Sequence, residues 1–389
     1  MGIRIIIAGD ICPIGRNRDL FRRGDAAALL NDLRPDFAGA DLRIVNLEGP
    51  LLRGNSPLPK VGPSLGSPRE CVEGLKAIGV DLVGLANNHL MDHGPEGLRS
   101  TVRTLKEYGI DCVGAGPNLE AAREIRIREI GGVRIGLLAV AEREFGIAGR
   151  STPGVNPLDL IDLVRNIRSR RRDFDLLIVL LHGGNQFYPY PRPGLRDTCR
   201  FIIEEGADIV LCQHSHCAGC REDYQGGLIL YGQGDFLFDR SEHSEKWDTG
   251  LLLKIEVRGG GDFKADLIPF LQLPDSGGAR RMDAVEEGAF LGDFDRRSAE
   301  ILIPGFLEAE FEKFCRGLQR YYLNTLHGRS SLLRKVAGRL GMLYYLDRPK
   351  ICRERLNLIR CESHREALLE LLGRGEARKD YREGLNDGG

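Results

Sequence analysis

The chain has 389 residues, a formal net charge of −1 and a hydrophobic fraction of 42%. The balanced charge excludes a general attraction to nucleic acid, and no apolar run reaches the roughly 18 residues that a transmembrane helix needs. The length allows a large core and more than one structural unit, and the apolar run at the N-terminus is too short for the core of a signal peptide. We therefore expect a cytoplasmic protein whose ten cysteines are reduced thiols.

Up to about residue 240, short apolar runs alternate with amphipathic stretches. The apolar runs there and just beyond predict strands at 4–8, 42–45, 81–85, 124–130, 133–140, 176–181, 207–211, 228–231, 251–257 and 263–270. Helical spacing predicts helices at 69–78, 95–108, 158–170 and 195–205. This alternation favours an α/β domain with parallel strands, and glycine-rich turns at 131–132 and 258–262 indicate closing antiparallel hairpins.

The pattern changes after residue 274. Residues 274–292 are rich in Gly, Asp and Arg and predict a linker or loop, whereas 299–326, 332–345 and 351–372 have helical spacing without strand signals. Between 313 and 360 there are 12 Lys and Arg residues against 2 Asp and Glu residues. A solvated helical face, an interfacial helix making peripheral contact with anionic lipid, and a dock for an acidic polymer all fit this basic segment.

Polar residues follow directly after several predicted strands. In open α/β sheets, ligand sites lie at the carboxyl ends of the strands. Two of these residues, His214 and His216, have a spacing at which an extended strand points both side chains the same way. We therefore expect one shared cleft for the polar residues at the strand ends, which are Asp10, Glu48, Asn88, His89, His182, His214 and His216.

The chemistry of these side chains points to a metal centre. They combine two carboxylates, an amide oxygen and several imidazoles, which suit Zn²⁺, Mn²⁺ or iron rather than the oxygen-only preference of Ca²⁺. Two such ions about 3.5–4 Å apart can clamp a phosphoryl group and lower the pKa of a bound water. The residues therefore predict one or two divalent ions as the cofactor.

Seven short motifs between residues 5 and 239 carry a resemblance to a known family. They are Ala8-Gly9-Asp10, Asn46-Leu47-Glu48-Gly49-Pro50, Ala86-Asn87-Asn88-His89, Asp92-His93-Gly94, His182-Gly183-Gly184, His214-Ser215-His216 and Tyr231-Gly232-Gln233-Gly234-Asp235-Phe236. In order and spacing they resemble the CapA-type proteins of poly-γ-glutamate capsule biosynthesis, within the calcineurin-like metallophosphoesterase superfamily.

The resemblance implies a four-layer α-β-β-α sandwich, which we place at residues 1–275. Helical spacing predicts a helical extension over 293–375, and the polar composition of 376–389 predicts a disordered tail. The resemblance also implies a metal-dependent hydrolase linked to capsule or exopolymer production. Glu48 would bridge the metals and hold the attacking water, and His89 would protonate the leaving group. The remaining implied metal ligands are Asp10, Asn88, His182, His214 and His216.

Three positions depart from the family's pattern. The first motif is Asp-x-His in the superfamily but Asp10-Ile11-Cys12 here, so that Cys12 is either a thiolate ligand or a packed thiol beside a weaker first site. Gln186 stands near a position where the family commonly has Glu, and it cannot act as a general base. Asp235 stands near a usual Asn and adds a charge that could bind a metal or a cationic group.

Two other functions remain open. A degraded metal site would leave a non-catalytic subunit that binds a polyanion or a synthase of the capsule or exopolymer pathway, and the same scaffold also suits an amide or γ-glutamyl transferase. The substrate is a small molecule or an anionic polymer in either catalytic case. Cys217-Ala218-Gly219-Cys220 also matches a Cys-x-x-Cys pair for structural zinc or redox chemistry, although a second such pair is missing.

Overall fold

The computed structural model describes residues 2–54, 56–60, 62–239, 245–326, 336, 338 and 339. The chain divides into two compact units, Met1–Phe314 and Cys315–Gly389. The first unit contains both sheets and is described below. The predicted helices at 332–345 and 351–372, the tail at 376–389 and most of the basic segment 313–360 lie outside the described residues, and the predicted domain boundaries stay predictions.

The described part of the first unit contains 18 strands. In chain order they are β1 (Ile3–Cys12), β2 (Leu42–Leu47), β3 (Leu51–Leu52), β4 (Ser67–Pro68), β5 (Leu82–Gly84), β6 (Asp111–Val113), β7 (Ala115–Gly116), β8 (Arg126–Ile130), β9 (Val133–Ala141), β10 (Gly154–Val155), β11 (Leu176–His182), β12 (Ile209–Gln213), β13 (Arg221–Tyr224), β14 (Gly227–Leu230), β15 (Asp235–Phe238), β16 (Thr249–Val257), β17 (Phe263–Gln272) and β18 (Ala279–Arg281).

Helices connect and cover these strands. They are α1 (Asn17–Arg23), α2 (Ala26–Leu30), α3 (Arg34–Ala38), α4 (Val72–Ala77), α5 (Gly94–Glu107), α6 (Leu119–Ala122), α7 (Leu160–Arg170), α8 (Pro193–Glu204), α9 (Glu245–Asp248), α10 (Ala284–Glu300) and α11 (Phe306–Leu326). Short 3₁₀ turns occupy Asn31–Leu33, Arg69–Cys71, Arg171–Asp173 and Gly259–Gly261.

Two large sheets form the centre of the fold. The first has the order β18-β17-β16-β1-β2-β5-β6, with β15 also paired to β1, and the second has the order β13-β14-β12-β11-β9-β8. The pairs β1–β2, β2–β5, β9–β11 and β11–β12 are parallel, whereas β16–β17 and β8–β9 are antiparallel. Gly131 and Gly132 have φ of 56° and 81°, the left-handed backbone that the two-residue turn between β8 and β9 requires.

The core explains why the sheets stack. Ile7 and Ile44 of the first sheet share one buried cluster with Leu137 and Ile178 of the second. On the outer face of the second sheet, a separate cluster joins its other side chains to α7 and α8, including Ile202. Strands buried on both faces read as continuous apolar runs, which is why the strand predictions succeed here. The α/β class and the four-layer sandwich expected from the resemblance are confirmed.

The prediction for residues 274–292 is wrong. β18 occupies Ala279–Arg281, and α10 begins at Ala284 with a capping box formed by Asp283 and Glu286. The predicted helix at 299–326 is broken, because α10 ends at Glu300 and α11 begins at Phe306. Among the residues the structure describes, no helix is both long and apolar enough to cross a bilayer.

Candidate metal centre

The carboxyl ends of parallel strands from both sheets meet at one edge of the sandwich. Asp10 lies near the end of β1, Glu48 follows β2, and His182 ends β11. Asn88 and His89 follow β5, and the two paired histidines follow β12. All of the predicted site residues on these strand ends are at most 8% exposed. The structure therefore brings together side chains that lie up to about 200 residues apart in sequence.

Three carboxylates and one imidazole form the first half of the site, which we call the carboxylate group: Asp10, Glu48, His216 and Asp235. One ligand atom from each residue lies within 4.8 Å of the others. Nδ1 of His216 lies 2.8 Å from Oδ1 of Asp235 and 3.9 Å from Oδ2 of Asp10. Asp10 and Asp235 face each other in the β1–β15 register, and a Cβ on Gly9 would come within 2.1 Å of the Gly234 carbonyl oxygen, so only glycine allows this close approach.

The second half, which we call the imidazole group, consists of Asn88, His182 and His214. Nε2 of His182 lies 3.1 Å from Oδ1 of Asn88 and 3.1 Å from Nδ1 of His214. Neighbouring ligands on a tetrahedral zinc ion with bonds of 2.0–2.1 Å lie about 3.3 Å apart, so these two distances are close to the spacing of metal ligands. The imidazole group contains no carboxylate, which distinguishes it from the carboxylate group.

Burial sets the protonation of both halves. It raises the pKa of Asp10, and the neighbouring charge of Asp235 raises it further, against the lowering effect of His216. Burial and the nearby imidazoles, His214 first among them, hold the pKa of His182 well below its usual value. His182 is therefore neutral at pH 7 and keeps a lone pair for a cation. In the carboxylate group, Asp10 and Asp235 repel each other, and a bound cation would offset this repulsion.

The turn after β12 aims the paired histidines. The strand ends at Gln213, and His214 and His216 have φ of 92° and 55°. Such left-handed conformations cost about 1–3 kcal/mol each in residues other than glycine. The extended geometry expected for the pair is thus wrong, although the two rings do converge, with centroids 5.8 Å apart. The backbone N–H of His214 donates to Oδ2 of Asp10 over 3.1 Å, which ties the turn to β1.

Asn46 links the two halves and was missed by sequence reasoning. Its Nδ2 donates to Oδ1 of Asp10 over 2.7 Å and lies 3.3 Å from Nδ1 of His182. Its Oδ1 accepts a hydrogen bond from Asn87 over 3.3 Å. The only signal in the sequence was its position at the end of β2, in the motif that also contains Glu48.

His89 lies beside the carboxylate group in a network of its own. Its Nδ1 lies 2.7 Å from Oδ2 of Asp92, and its Nε2 lies 3.7 Å from Oε1 of Glu48. Lys60 bonds to Asp92, and its Nζ also donates to the backbone oxygen of Asn88 over 3.0 Å. A carboxylate on Nδ1 fixes the ring and leaves Nε2 directed toward the centre. Sequence reasoning missed Lys60 and gave Asp92 no role beyond its place in a motif.

Comparison with known proteins places the chain in a family. The family profile described as "Bacterial capsule synthesis protein PGA_cap" matches residues 4–240, which include every residue of both groups. The chain belongs to this family. It is 27% identical over 276 residues to the capsule biosynthesis protein CapA of Bacillus anthracis, covering 69% of this chain and 67% of that protein.

Two further matches are weaker or more local. The chain is 30% identical over 244 residues to the PGA biosynthesis protein CapA of Bacillus subtilis strain 168, covering 61% of this chain and 64% of that protein. The two alignments with CapA proteins thus extend over about two thirds of each relative. A hypothetical protein from Thermus thermophilus aligns in its crystal structure with a TM-score of 0.44 and 15% identity, over 69% of this chain and 99% of that one.

The three departures from the expected motifs lie in different surroundings. Asp235 joins the carboxylate group, whereas Cys12 is buried at the end of β1, opposite Phe238, and is not a member of the described four-residue group. Gln186 is exposed. Cys217 and Cys220 are both buried, and burial raises the pKa of Cys220. The buried Asp, Glu and His cluster of this family member could hold a metal ion.

Proposed function

We propose that this family member is a metal-dependent hydrolase that cleaves a phosphoester or an amide-like bond in capsule or exopolymer production. The observation that carries the proposal is the convergence of the carboxylate group and the imidazole group at the strand ends of both sheets. The names of the Bacillus relatives, a capsule and a PGA biosynthesis protein, support the biological setting. The cytoplasmic location stays a prediction.

The donor set suits one or two divalent ions of zinc, manganese or iron. Asp10, Glu48, His216 and Asp235 would hold one ion, and Asn88, His182 and His214 a second, with Glu48 as the bridging ligand expected from the resemblance. Bound ions would polarise the electrophile and supply a water of lowered pKa at neutral pH. The low pKa of His182 supports this assignment, because a ligand imidazole must be neutral.

His89 would serve as the proton donor to the leaving group. Asp92 holds its Nδ1, so that Nε2 lies on the side of the ring facing the reacting centre, 3.7 Å from Oε1 of Glu48. General acid catalysis of this kind contributes about 10²–10⁴-fold to the rate. The role of Asp92 and Lys60 is then to position the ring rather than to contact the substrate.

Metal content and turnover test the proposal together. Purified protein loaded with Zn²⁺ or Mn²⁺ should retain metal by elemental analysis and hydrolyse bis(p-nitrophenyl) phosphate. Asp10→Asn should lose metal and reduce kcat/KM by about 10³-fold, which corresponds to the several kcal/mol of stabilisation from a bound ion. Glu222→Gln is the matched control, because Glu222 is a buried acid that binds Arg200 and Tyr231 instead. A folded protein that binds no metal under loading conditions would refute the proposal.

The role of His89 has a separate test. His89→Gln should keep the metal content while lowering kcat, and the loss should be smaller for p-nitrophenyl esters than for phenyl esters, because a good leaving group needs less protonation. His93→Gln is the control, since Nδ1 of His93 accepts a hydrogen bond from the Ser56 N–H, outside both groups. Equal losses for both leaving groups would contradict the assignment.

One observation favours a second candidate function. The exposed Gln186 and the Cys12 that replaces an expected histidine ligand are features of a site with reduced catalytic power. The second candidate is a non-catalytic subunit with a degraded metal site that binds an anionic polymer or a synthase partner. Absence of bound metal and of turnover in the folded protein, together with retention on immobilised poly-γ-glutamate, would support it. Product formation only when an amine acceptor is supplied would instead support the transferase.

A further inference from the structure

An aromatic pair lies beside the carboxylate group. Phe187, in the loop between β11 and α8, has its ring centroid 5.9 Å from that of His216. Phe187 also stacks on Trp247 of α9, with centroids 4.7 Å apart and planes 30° apart. The two aromatic residues thus extend outward from a histidine of the candidate metal centre.

The conformation of Phe187 is costly and firmly held. Its φ is +60°, which is unfavourable for a bulky side chain, and the residue is 38% exposed. The backbone N–H of Phe187 donates to the carbonyl oxygen of Ser215 over 2.8 Å, directly between the two paired histidines. The fold therefore keeps an exposed aromatic ring at a fixed place next to the site, against both strain and solvent exposure.

The neighbouring residues anchor the loop that carries this ring. Tyr188 is buried and stacks on Phe314 with centroids 4.3 Å apart. Tyr190 donates from its hydroxyl to Oε2 of Glu300 over 2.5 Å and packs edge-on against Phe306. These contacts hold Tyr188 and Tyr190 against α10 and α11, whereas Phe187 of the same loop is 38% exposed.

We propose that Phe187 and Trp247 form a subsite for a flat aromatic or heteroaromatic ring joined by an ester oxygen to the reacting phosphorus. The inference rests on the proposed hydrolysis and names the class of substrate for it. The ring centroids of Phe187 and His216 are 5.9 Å apart, so a phosphoryl group held beside His216 would bring a ring attached to it close to the aromatic pair. Aromatic pairs gain about 0.5–1.5 kcal/mol beyond the burial of their area, which makes a ring-bearing ligand up to about tenfold tighter before the area itself is counted.

Two phosphonates separate the ring from the phosphoryl group. Zn²⁺-loaded protein is titrated by calorimetry with phenylphosphonate and with methylphosphonate, which carry the same charged head and differ in the ring. We expect phenylphosphonate to bind about tenfold more tightly. Trp247 is the single tryptophan of the chain, so its fluorescence reports on the subsite directly. Its emission should change with phenylphosphonate and stay constant with methylphosphonate.

Variants assign the difference to the aromatic pair. Phe187→Ala should reduce the preference for phenylphosphonate to about twofold, and Phe187→Tyr should keep it. Trp247→Leu should also reduce the preference, and it replaces Phe187→Ala as the test if that variant does not fold. Phe201→Ala is the matched control, because Phe201 is 36% exposed on α8, and it should leave the preference unchanged.

The outcomes distinguish this inference from the proposed function. Equal affinity for the two phosphonates would overturn the aromatic subsite and leave the metal-dependent hydrolase standing. Binding of neither phosphonate to the metal-loaded protein would overturn both, since the ring is placed to bind next to an anchored phosphoryl group. A preference that survives in both Phe187→Ala and Trp247→Leu would also refute the subsite.

Discussion

The carboxylate group and the imidazole group occupy one edge of the same sandwich but differ in their need for a cation. The carboxylate group places Asp10 and Asp235 opposite each other, and this proximity contributes to the raised pKa of Asp10. The imidazole group contains no carboxylate, has contacts of 3.1 Å between its side chains, and includes His182, whose pKa is lowered. The comparison teaches that like charges oppose each other in one half of the metal-free centre and are absent from the other half.

Removal of one acid should break this difference most strongly. Asp235→Asn keeps the shape of the carboxylate group but takes away one like charge, so the metal-free protein should gain about 1 kcal/mol of stability. The Tm of the metal-free protein should rise by about 2–4 °C, measured by differential scanning fluorimetry in the presence of a chelator. Calorimetric titration should show that affinity for Zn²⁺ falls by at least about 10–100-fold, because Asp235 belongs to the carboxylate group and also contacts the ligand His216.

The control for this variant is an acid of the same type outside the site. Asp266 lies on β17 and pairs with Lys264 at the surface, so Asp266→Asn should change neither quantity appreciably. A metal-free Tm that falls in Asp235→Asn would show that the packing of His216 against Asp235 outweighs the repulsion between the acids. The contrast between the two halves would then be incorrect.

Asn46 offers a way to affect both halves at once. Asn46→Leu keeps the volume but removes the donor to Asp10 and the contact with His182. Zn²⁺ affinity should fall about 10-fold by calorimetry, because residues that orient metal ligands typically contribute 10–100-fold. Asn156→Leu is the matched control: this buried asparagine donates to the Ala139 carbonyl oxygen away from both groups, so it should lower the Tm without changing affinity. Equal affinities in the two variants would contradict the linking role of Asn46.

The sequence was informative where function depends on the ends of strands. Asp10, Asn88 and His182 each follow an apolar run, and parallel strands bring their carboxyl ends to one edge, so local pattern and topology together predicted the cleft. The contacts of Asn46 and Lys60 arise only when distant segments meet. The local pattern does not mark Lys60, and it marks Asn46 only by its place at the end of β2 in the motif of Glu48. The left-handed turn at His214 and His216 was also hidden, because such backbone angles in histidine are set by tertiary contacts.

The segment from 274 to 292 shows the opposite failure. Its Gly and Asp content suggested a linker, yet Asp283 and Glu286 form a capping box, a signal for a helix start that was present in the sequence and outweighed by composition. The resulting helix, α10, reaches the site through Arg297, which is 8% exposed. Its guanidinium donates to the backbone oxygens of Gly219 over 2.9 Å and Ala218 over 3.3 Å, just after His216.

The role of α10 in holding the loop after His216 can be measured. Arg297→Met should leave two buried carbonyl oxygens without their donor and cost about 2 kcal/mol of unfolding free energy in urea. Arg296→Met, which removes surface contacts with Asp293 and Glu300, should cost less. Because Arg297 supports the loop next to the carboxylate group, Arg297→Met should also weaken metal binding. Combined with Asp235→Asn, it should lower the metal affinity by less than the sum of the two single effects. Fully additive losses of metal affinity would show that α10 does not act on the site.

The smallest effect is expected at the start of α10. Arg280, which bonds to both carboxylate oxygens of Glu286, and the N–H of Asp283 lower the pKa of Glu286 to about 2 from 4.5. Since the unfolded chain binds this proton more readily, the contribution of Glu286 to stability is present above pH 4.5 and is lost as the pH falls toward 2. Glu286→Gln should therefore lower the Tm by at most about 2 °C at pH 7. The difference in Tm between this variant and the unsubstituted protein should shrink between about pH 4.5 and 3. Glu287→Gln, on the same helical turn, controls for the lost charge, and Zn²⁺ affinity should be unchanged in both, because the helix acts on the site through Arg297 rather than through its cap.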